Sequence, residues 1–153
     1  MALEVDIRGM KPIINKKAYF NYEILETFQA GIVLTGQEVK SIKNGRISLA
    51  GSYVILKGEE IFLIGADIPP YQPKNAPRDY DPKRFRKLLL NKSEIRYLIG
   101  KSRQTGLTLI PLKVYTKRQK IKLEFGLAKG KKKVDKREKI KKREIEREMR
   151  RYF

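Results

Sequence analysis

Apolar and polar positions along this chain fall into short runs of four to twelve residues, a spacing that predicts strands more often than long helices. Residues 18–28 carry Tyr19, Phe20, Tyr22, Ile24, Leu25 and Phe28, an aromatic and β-branched enrichment that predicts a strand. Ala30-Gly31 breaks it as a bulge or bend, and Ile32-Val33-Leu34 resumes as a short buried strand. Residues 53–56 and 61–64 are apolar runs separated by Lys57-Gly58-Glu59-Glu60, the pattern of a hairpin with a glycine-containing turn. Residues 107–115 and 121–127 predict the last two strands, joined by Lys117-Arg118-Gln119-Lys120. In the second of these, Ile121, Leu123 and Phe125 alternate with Lys122 and Glu124, so one face is buried and one is wet.

Helical spacing is confined to a few segments. Residues 37–44 place Val39 and Ile42 on one face, and Asn44-Gly45 supplies the stop. Thr35 and Glu38 form the T-x-x-E pattern of a capping box. A second helix begins at Asn91 or Ser93 and runs to about Arg103, with Ile95, Leu98 and Ile99 facing one way. Five prolines between residues 68 and 82 require an irregular loop, since proline removes backbone donors. Leu88-Leu89-Leu90 follows as a compact apolar plug. Five or six short strands with two or three flanking helices predict a mainly β protein, a small closed antiparallel barrel of the OB-like kind. The organisation expected is an N-terminal arm over 1–17, the barrel over 18–128 and a basic tail over 129–153.

Charge narrows the function. The 153 residues hold 36 Lys and Arg against 17 Asp and Glu, a net +19, and a field of that sign draws polyanions such as RNA. No cysteine and no histidine occur, which removes disulfides, the usual zinc sites and the usual His-activated nucleophiles. No paired carboxylates stand out for catalysis. The chain is therefore expected to bind nucleic acid without being an enzyme, without cofactor or metal. No run of 18 apolar residues exists, so no membrane span is expected.

The tail departs from the rest in composition. Residues 129–153 contain thirteen Lys and Arg against five Asp and Glu, with few apolar positions. Such a segment buries too little apolar surface to offset its ordering entropy, so it is expected to be disordered when free. It nevertheless has helical grammar: Glu138 with Lys142 and Glu146 with Arg150 are i, i+4 pairs, and Ile145, Met149 and Tyr152 share a narrow arc. A long anionic channel or groove is the partner that would complete such a helix.

Several strings occur together: Ala30-Gly31-Ile32-Val33-Leu34-Thr35-Gly36-Gln37-Glu38-Val39-Lys40-Ser41, Arg86-Lys87-Leu88-Leu89-Leu90, Gly126-Leu127-Ala128-Lys129-Gly130-Lys131-Lys132, then Asp135-Lys136-Arg137 and the basic tail. In this order the chain resembles the bacterial SsrA-binding protein family, also called small protein B, from about Asn15 to the C-terminus. The resemblance implies an OB-like barrel that holds the tRNA-like domain of transfer-messenger RNA. It further implies delivery of that RNA to stalled ribosomes for trans-translation in the cytoplasm. The tail then turns helical in the empty mRNA channel of the small subunit, beyond the decoding centre. Elongation factor Tu and alanyl-tRNA synthetase follow as further partners through the shared RNA.

The family's RNA-contacting pattern falls on Asn15, Gly36, Glu38, Leu89 and Gly130. The cations Lys16, Lys17, Lys129, Lys131 and Lys132 suit phosphate, and Lys40 joins the RNA-binding set as a residue that Glu38 could orient. Tyr19 or Tyr22 is expected to stack on a base while the other packs in the core. Glu38 has two readings, a helix cap or an acceptor from base or ribose. The tail motif falls on Asp135, Lys136 and Arg137, with Lys141, Ile145, Met149 and Tyr152 following on the helix. Where the family often has an acidic residue before Ala-Gly, this chain has Gln29. Where many members carry Trp, it has Tyr115-Thr116 and Ile145. Two other functions fit a basic barrel: a ribosomal protein or other structured-RNA chaperone, and a carboxylate-dependent nuclease.

Overall fold

The computed structural model describes residues 10–152, side chains included except at 132–139 and 152. Among these, seven strands pair antiparallel: β1 (Ile13–Ile14), β2 (Tyr22–Ile32), β3 (Tyr53–Lys57), β4 (Glu60–Ile64), β5 (Arg86–Leu89), β6 (Leu107–Lys117) and β7 (Lys120–Gly130). Pairing runs β6-β3-β4-β5-β2-β7 and closes through β6–β7, so the sheet is a barrel as the strand pattern predicts. The short β1 pairs with β6 beyond its contact with β3. Four helices flank the barrel: α1 (Lys16–Asn21), α2 (Gly36–Lys43), α3 (Lys92–Ser102) and α4 (Lys132–Tyr152).

Strand parity divides the apolar residues into two cores. Val54, Leu63, Leu88, Leu109, Leu123 and Phe125 point inward, and Ile42 of α2 and Leu98 of α3 join them. Tyr53, Ile55, Phe62, Ile64 and Ile110 lie on the opposite face and form a second buried cluster outside the barrel. That outer cluster explains why residues 53–55 and 61–64 are buried without alternation: a strand covered on both sides reads as a continuous apolar run. The β3–β4 hairpin turns at Gly58, whose φ of +62° suits glycine. The β6–β7 turn instead uses Arg118 (φ 52°) and Gln119 (φ 67°), both in the left-handed region that a tight hairpin with primed-turn geometry demands.

Three local expectations are corrected. Residues 16–21 form α1 rather than the start of a strand, because Ala18 and Tyr22, four apart, both bury in the outer cluster. The strand β2 continues through Ala30-Gly31, and its register shift falls between Ile24 and Glu26 instead. Leu88 and Leu89 belong to β5, with Leu88 inside and Leu89 outside.

The tail, expected to be disordered when free and helical with a partner, is helical in α4, with its later turns against the outer cluster. Met149 is 3% exposed within the outer cluster and Ile145 packs beside it. Burying a methionine contributes about 1.5–3 kcal/mol, an amount composition alone does not reveal. Lys142 Nζ donates to Thr108 Oγ1 at 3.2 Å. Burial holds the Lys142 ammonium below its ordinary pKa, against the opposing charge of Glu146.

Candidate RNA-binding surface

Cross-strand register assembles a polar patch on the outside of β5, β2, β7 and β6, away from the outer apolar cluster. One row runs Leu89, Gly31, Lys122, Tyr115, and the next runs Gln29, Glu124, Lys113, with Ile14 of β1 beside Lys113. The inward neighbours Leu88, Ala30, Leu123 and Val114 are buried, which fixes this set on the solvent side. The Tyr115 hydroxyl donates to Gln29 Oε1 at 2.6 Å. Lys113 Nζ stands 5.4 Å from the Tyr115 ring centroid and 3.9 Å from Glu124 Oε1. Burial and, after it, the Glu124 carboxylate push the Tyr115 and Tyr19 hydroxyls above their ordinary pKa, so both remain donors at neutral pH.

Leu89 is 54% exposed, a large apolar side chain held in water by strand parity. With Gly31, Leu34, Val39 and Lys122 it lines an open cleft of about 350 Å³ between the barrel and α2. Such a cleft offers an apolar floor for a base or ribose and an ammonium for phosphate.

The helix α1 extends the patch. Its Tyr19 is 46% exposed and Phe20 78%. The Lys131 N–H donates to the Asn21 carbonyl at 3.1 Å, which ties the end of α1 to the end of β7, while Lys17 lines a cleft with Gly51, Tyr53 and Lys141. Of the two tyrosines offered for stacking, Tyr22 is the buried one.

Two residues expected to touch RNA are turned inward. Asn15 is 8% exposed, and its amide Nδ2 donates to the Pro111 carbonyl at 2.9 Å and to Leu49 O at 3.4 Å, pinning the arm to β6. Glu38 is 1% exposed. It completes the capping box, accepting from the Thr35 N–H at 2.9 Å while Thr35 Oγ1 accepts from the Glu38 N–H. Its two oxygens also accept from Arg84 and from Arg86, each at 2.6 Å. Of its two readings the cap is the one realised, and the arginine pairs leave no acceptor facing solvent. Arg86 is fully buried and further donates to the Ala66 and Pro82 carbonyls.

Gly36 and Lys40 are exposed on α2, with Lys40 Nζ 5.8 Å from the Tyr71 ring centroid. In the tail, Lys141 is exposed, whereas Ile145 and Met149 face the barrel. The side chains of Lys132, Asp135, Lys136, Arg137 and Tyr152 lie outside the described residues. Among the described residues, no group of three or more acidic side chains is placed to hold a metal ion, and no helix is long and apolar enough to cross a membrane.

The family model described as SmpB protein matches residues 13–153. The chain belongs to the SmpB family. The SsrA-binding protein of Nostoc sp. (strain PCC 7120) is 53% identical over 137 residues, covering 90% of this chain and 88% of that one. The SsrA-binding protein of Persephonella marina is 51% identical over 142 residues, covering 92% and 93%. A solved structure described as "tmRNA-SmpB: a journey to the center of the bacterial ribosome" is similar, with a TM-score of 0.67 and 46% identity over 80% of this chain and 86% of that chain. The OB-like barrel of the SmpB family is thus the fold of this chain.

Sequence reasoning missed Lys113, Tyr115, Lys122, Glu124 and Phe20 as surface groups of this patch. The alternation in β7 already places Lys122 and Glu124 on the wet face. Only the barrel's register sets them beside Gln29 and Leu89, and the aromatic pattern of residues 18–28 predicts strand at Phe20, where the chain is helix.

Proposed function

We propose that this chain binds the tRNA-like domain of transfer-messenger RNA and delivers it to stalled ribosomes for trans-translation. The observation that carries this reading is the match to the tmRNA-SmpB structure over four-fifths of the chain. The outer patch supplies the chemistry. Lys113, Lys122, Lys16, Lys17, Lys129 and Lys131 neutralise phosphates, while Gln29 and Tyr115 bond ribose or base. Leu89, Tyr19 and Phe20 give apolar platforms. Asn15 and Glu38 shape this surface from beneath, and Gly36 and Lys40 border it.

The tail, with Asp135, Lys136, Arg137, Lys141, Ile145, Met149 and Tyr152, is the segment that enters the empty mRNA channel. Elongation factor Tu and alanyl-tRNA synthetase are reached through the shared RNA. The protein works in the cytoplasm as a binding partner and not as an enzyme. The test is to purify the tagged chain from bacterial cells and sequence the RNA that comes with it. One abundant small RNA, transfer-messenger RNA, is expected to dominate; a spread of ribosomal RNA fragments would favour a ribosomal protein instead.

Phosphate contact at the patch has its own measurement. Each neutralised phosphate contributes about 0.7–0.9 to the slope of log affinity against log salt. Lys122→Glu is expected to weaken RNA binding about tenfold or more and to lower the slope by about one. An unchanged slope would remove Lys122 from the interface.

A further inference from the structure

Leu89 stands between two clefts, and only one of them belongs to the patch described above. On its β2 side lies the opening shared with Gly31, Leu34, Val39 and Lys122. On its β4 side a second cleft, of about 460 Å³, opens between the β4–β5 pair and the first turns of α3. Ile61, Leu88, Leu90 and Ile95 give this second cleft an apolar wall. Its rim is charged. Lys92 and Arg96, one turn apart on α3, are both exposed, and Arg96 Nε donates to the Lys92 carbonyl at 3.4 Å. Glu59 and Glu60 close the hairpin side, where Lys87 Nζ pairs with Glu60 Oε2 at 2.7 Å. With Lys87 and Glu60 offsetting each other, Lys92 and Arg96 outweigh Glu59 and leave the rim positive. Strand parity holds Leu89 outward between the two clefts, since Arg86 and Leu88 point into the barrel. The ladder between β2 and β5 ends at Leu89, so the ridge is open on both sides.

We propose that Leu89 is a wedge that parts two neighbouring unpaired nucleotides of the bound RNA, and that the cleft beside α3 receives one of them. This filling rests on the reading of the chain as a binder of transfer-messenger RNA and specifies how that site is occupied. The Lys122 cleft holds one nucleotide and the α3 cleft holds the next. Unpaired RNA bases are recognised when splayed out of the stack. Apolar side chains inserted at a base step are a known means of parting a stack. Each cleft has its own cations for one of two successive phosphates, Lys120 and Lys122 on one side, Lys92 and Arg96 on the other. The apolar wall at Ile95 suits the face of a base, and the Glu59 carboxylate suits its donor edge. The α3 cleft is continuous with the patch through Leu89, so the same RNA reaches both without leaving the surface.

The test uses the full chain and transfer-messenger RNA. Arg96→Glu is expected to weaken binding about fivefold or more and to lower the slope of log affinity against log salt by about one. Lys74→Glu makes the same charge change on the proline-rich loop and is expected to move neither. Matching results for the two variants would overturn the α3 subsite. A native chain that prefers ribosomal RNA fragments to transfer-messenger RNA would instead sink the underlying reading. The photoreactive residue p-benzoylphenylalanine, in place of Arg96 in one chain and of Lys120 in another, is expected to capture adjacent nucleotides of one unpaired loop. Capture from position 120 alone, or of nucleotides far apart, would overturn the wedge. With 2-aminopurine at either captured nucleotide, fluorescence is expected to rise about twofold or more on saturation with the native chain and to stay flat with Leu89→Ala, because the parted bases restack. An equal rise with both proteins would remove Leu89 from that role.

Discussion

Glu38→Gln is expected to lower the stability of the barrel by about 3–5 kcal/mol, the cost of leaving a buried charge without its partner. Arg86 is fully buried, and Glu38 is the carboxylate that faces it, with both in a network that also holds Arg84. Glutamine keeps the shape and the bond to the Thr35 N–H but leaves the Arg86 guanidinium uncompensated in the interior. Urea unfolding at neutral pH measures the loss as a lower midpoint with an unchanged slope. Adding Arg86→Met to Glu38→Gln is expected to recover part of it, because the orphaned charge is then gone as well.

The same network sets a pH dependence. Burial by itself would raise the Glu38 pKa; the bonds from Arg84 and the Thr35 N–H and the charge of Arg86 outweigh it and hold the carboxyl below the ordinary 4.5. A depressed folded-state pKa means stability that is complete above 4.5 and lost as pH falls through the folded value. The gap between the native chain and Glu38→Gln is thus expected to narrow only below pH 4.5. A gap of under about 1 kcal/mol at neutral pH would mean that the pair is as weak as an exposed one.

The second large effect is the loss of rescue when the chain ends after Gly130. Peptide tagging on stalled ribosomes is expected to fall at least a hundredfold while affinity for transfer-messenger RNA stays within about threefold, since every proposed phosphate and base contact except Lys131 precedes that point. The truncated barrel also loses part of the cover over Tyr53, Ile55, Phe62, Ile64 and Ile110, the part that Ile145 and Met149 supply. A modest drop in stability is expected, near the roughly 1.5–3 kcal/mol for burying one methionine less the ordering cost of the helix. Concentration-dependent self-association, seen by sedimentation, should accompany it. A fall in RNA affinity of tenfold or more would place the tail inside the RNA-binding surface and not beyond it.

What the sequence by itself determined is local and periodic. Alternation in residues 121–127, the glycine turn at Gly58 and the Thr35–Glu38 capping box each involve residues within a few positions of one another, so their spacing writes the structure directly. The basic excess likewise needed no fold to announce an anionic partner.

Tertiary structure decided the rest, because the deciding partners are far apart in the chain. Glu38 finds its arginines 46 and 48 residues away, and that distance turned a candidate RNA contact into a buried ion pair. Gln29 meets Tyr115 across 86 residues, through a register that only the closed barrel fixes. Residues 16–21 became helix because Ala18 and Tyr22 bury against strands from elsewhere in the chain. The continuous apolar runs at 53–56 and 61–64 did carry one unread signal: strands apolar on both faces require something outside the barrel to cover them. That the basic tail is part of that cover, beside α1, follows from where Met149 and Ile145 land, since burial is a property of contact and not of composition.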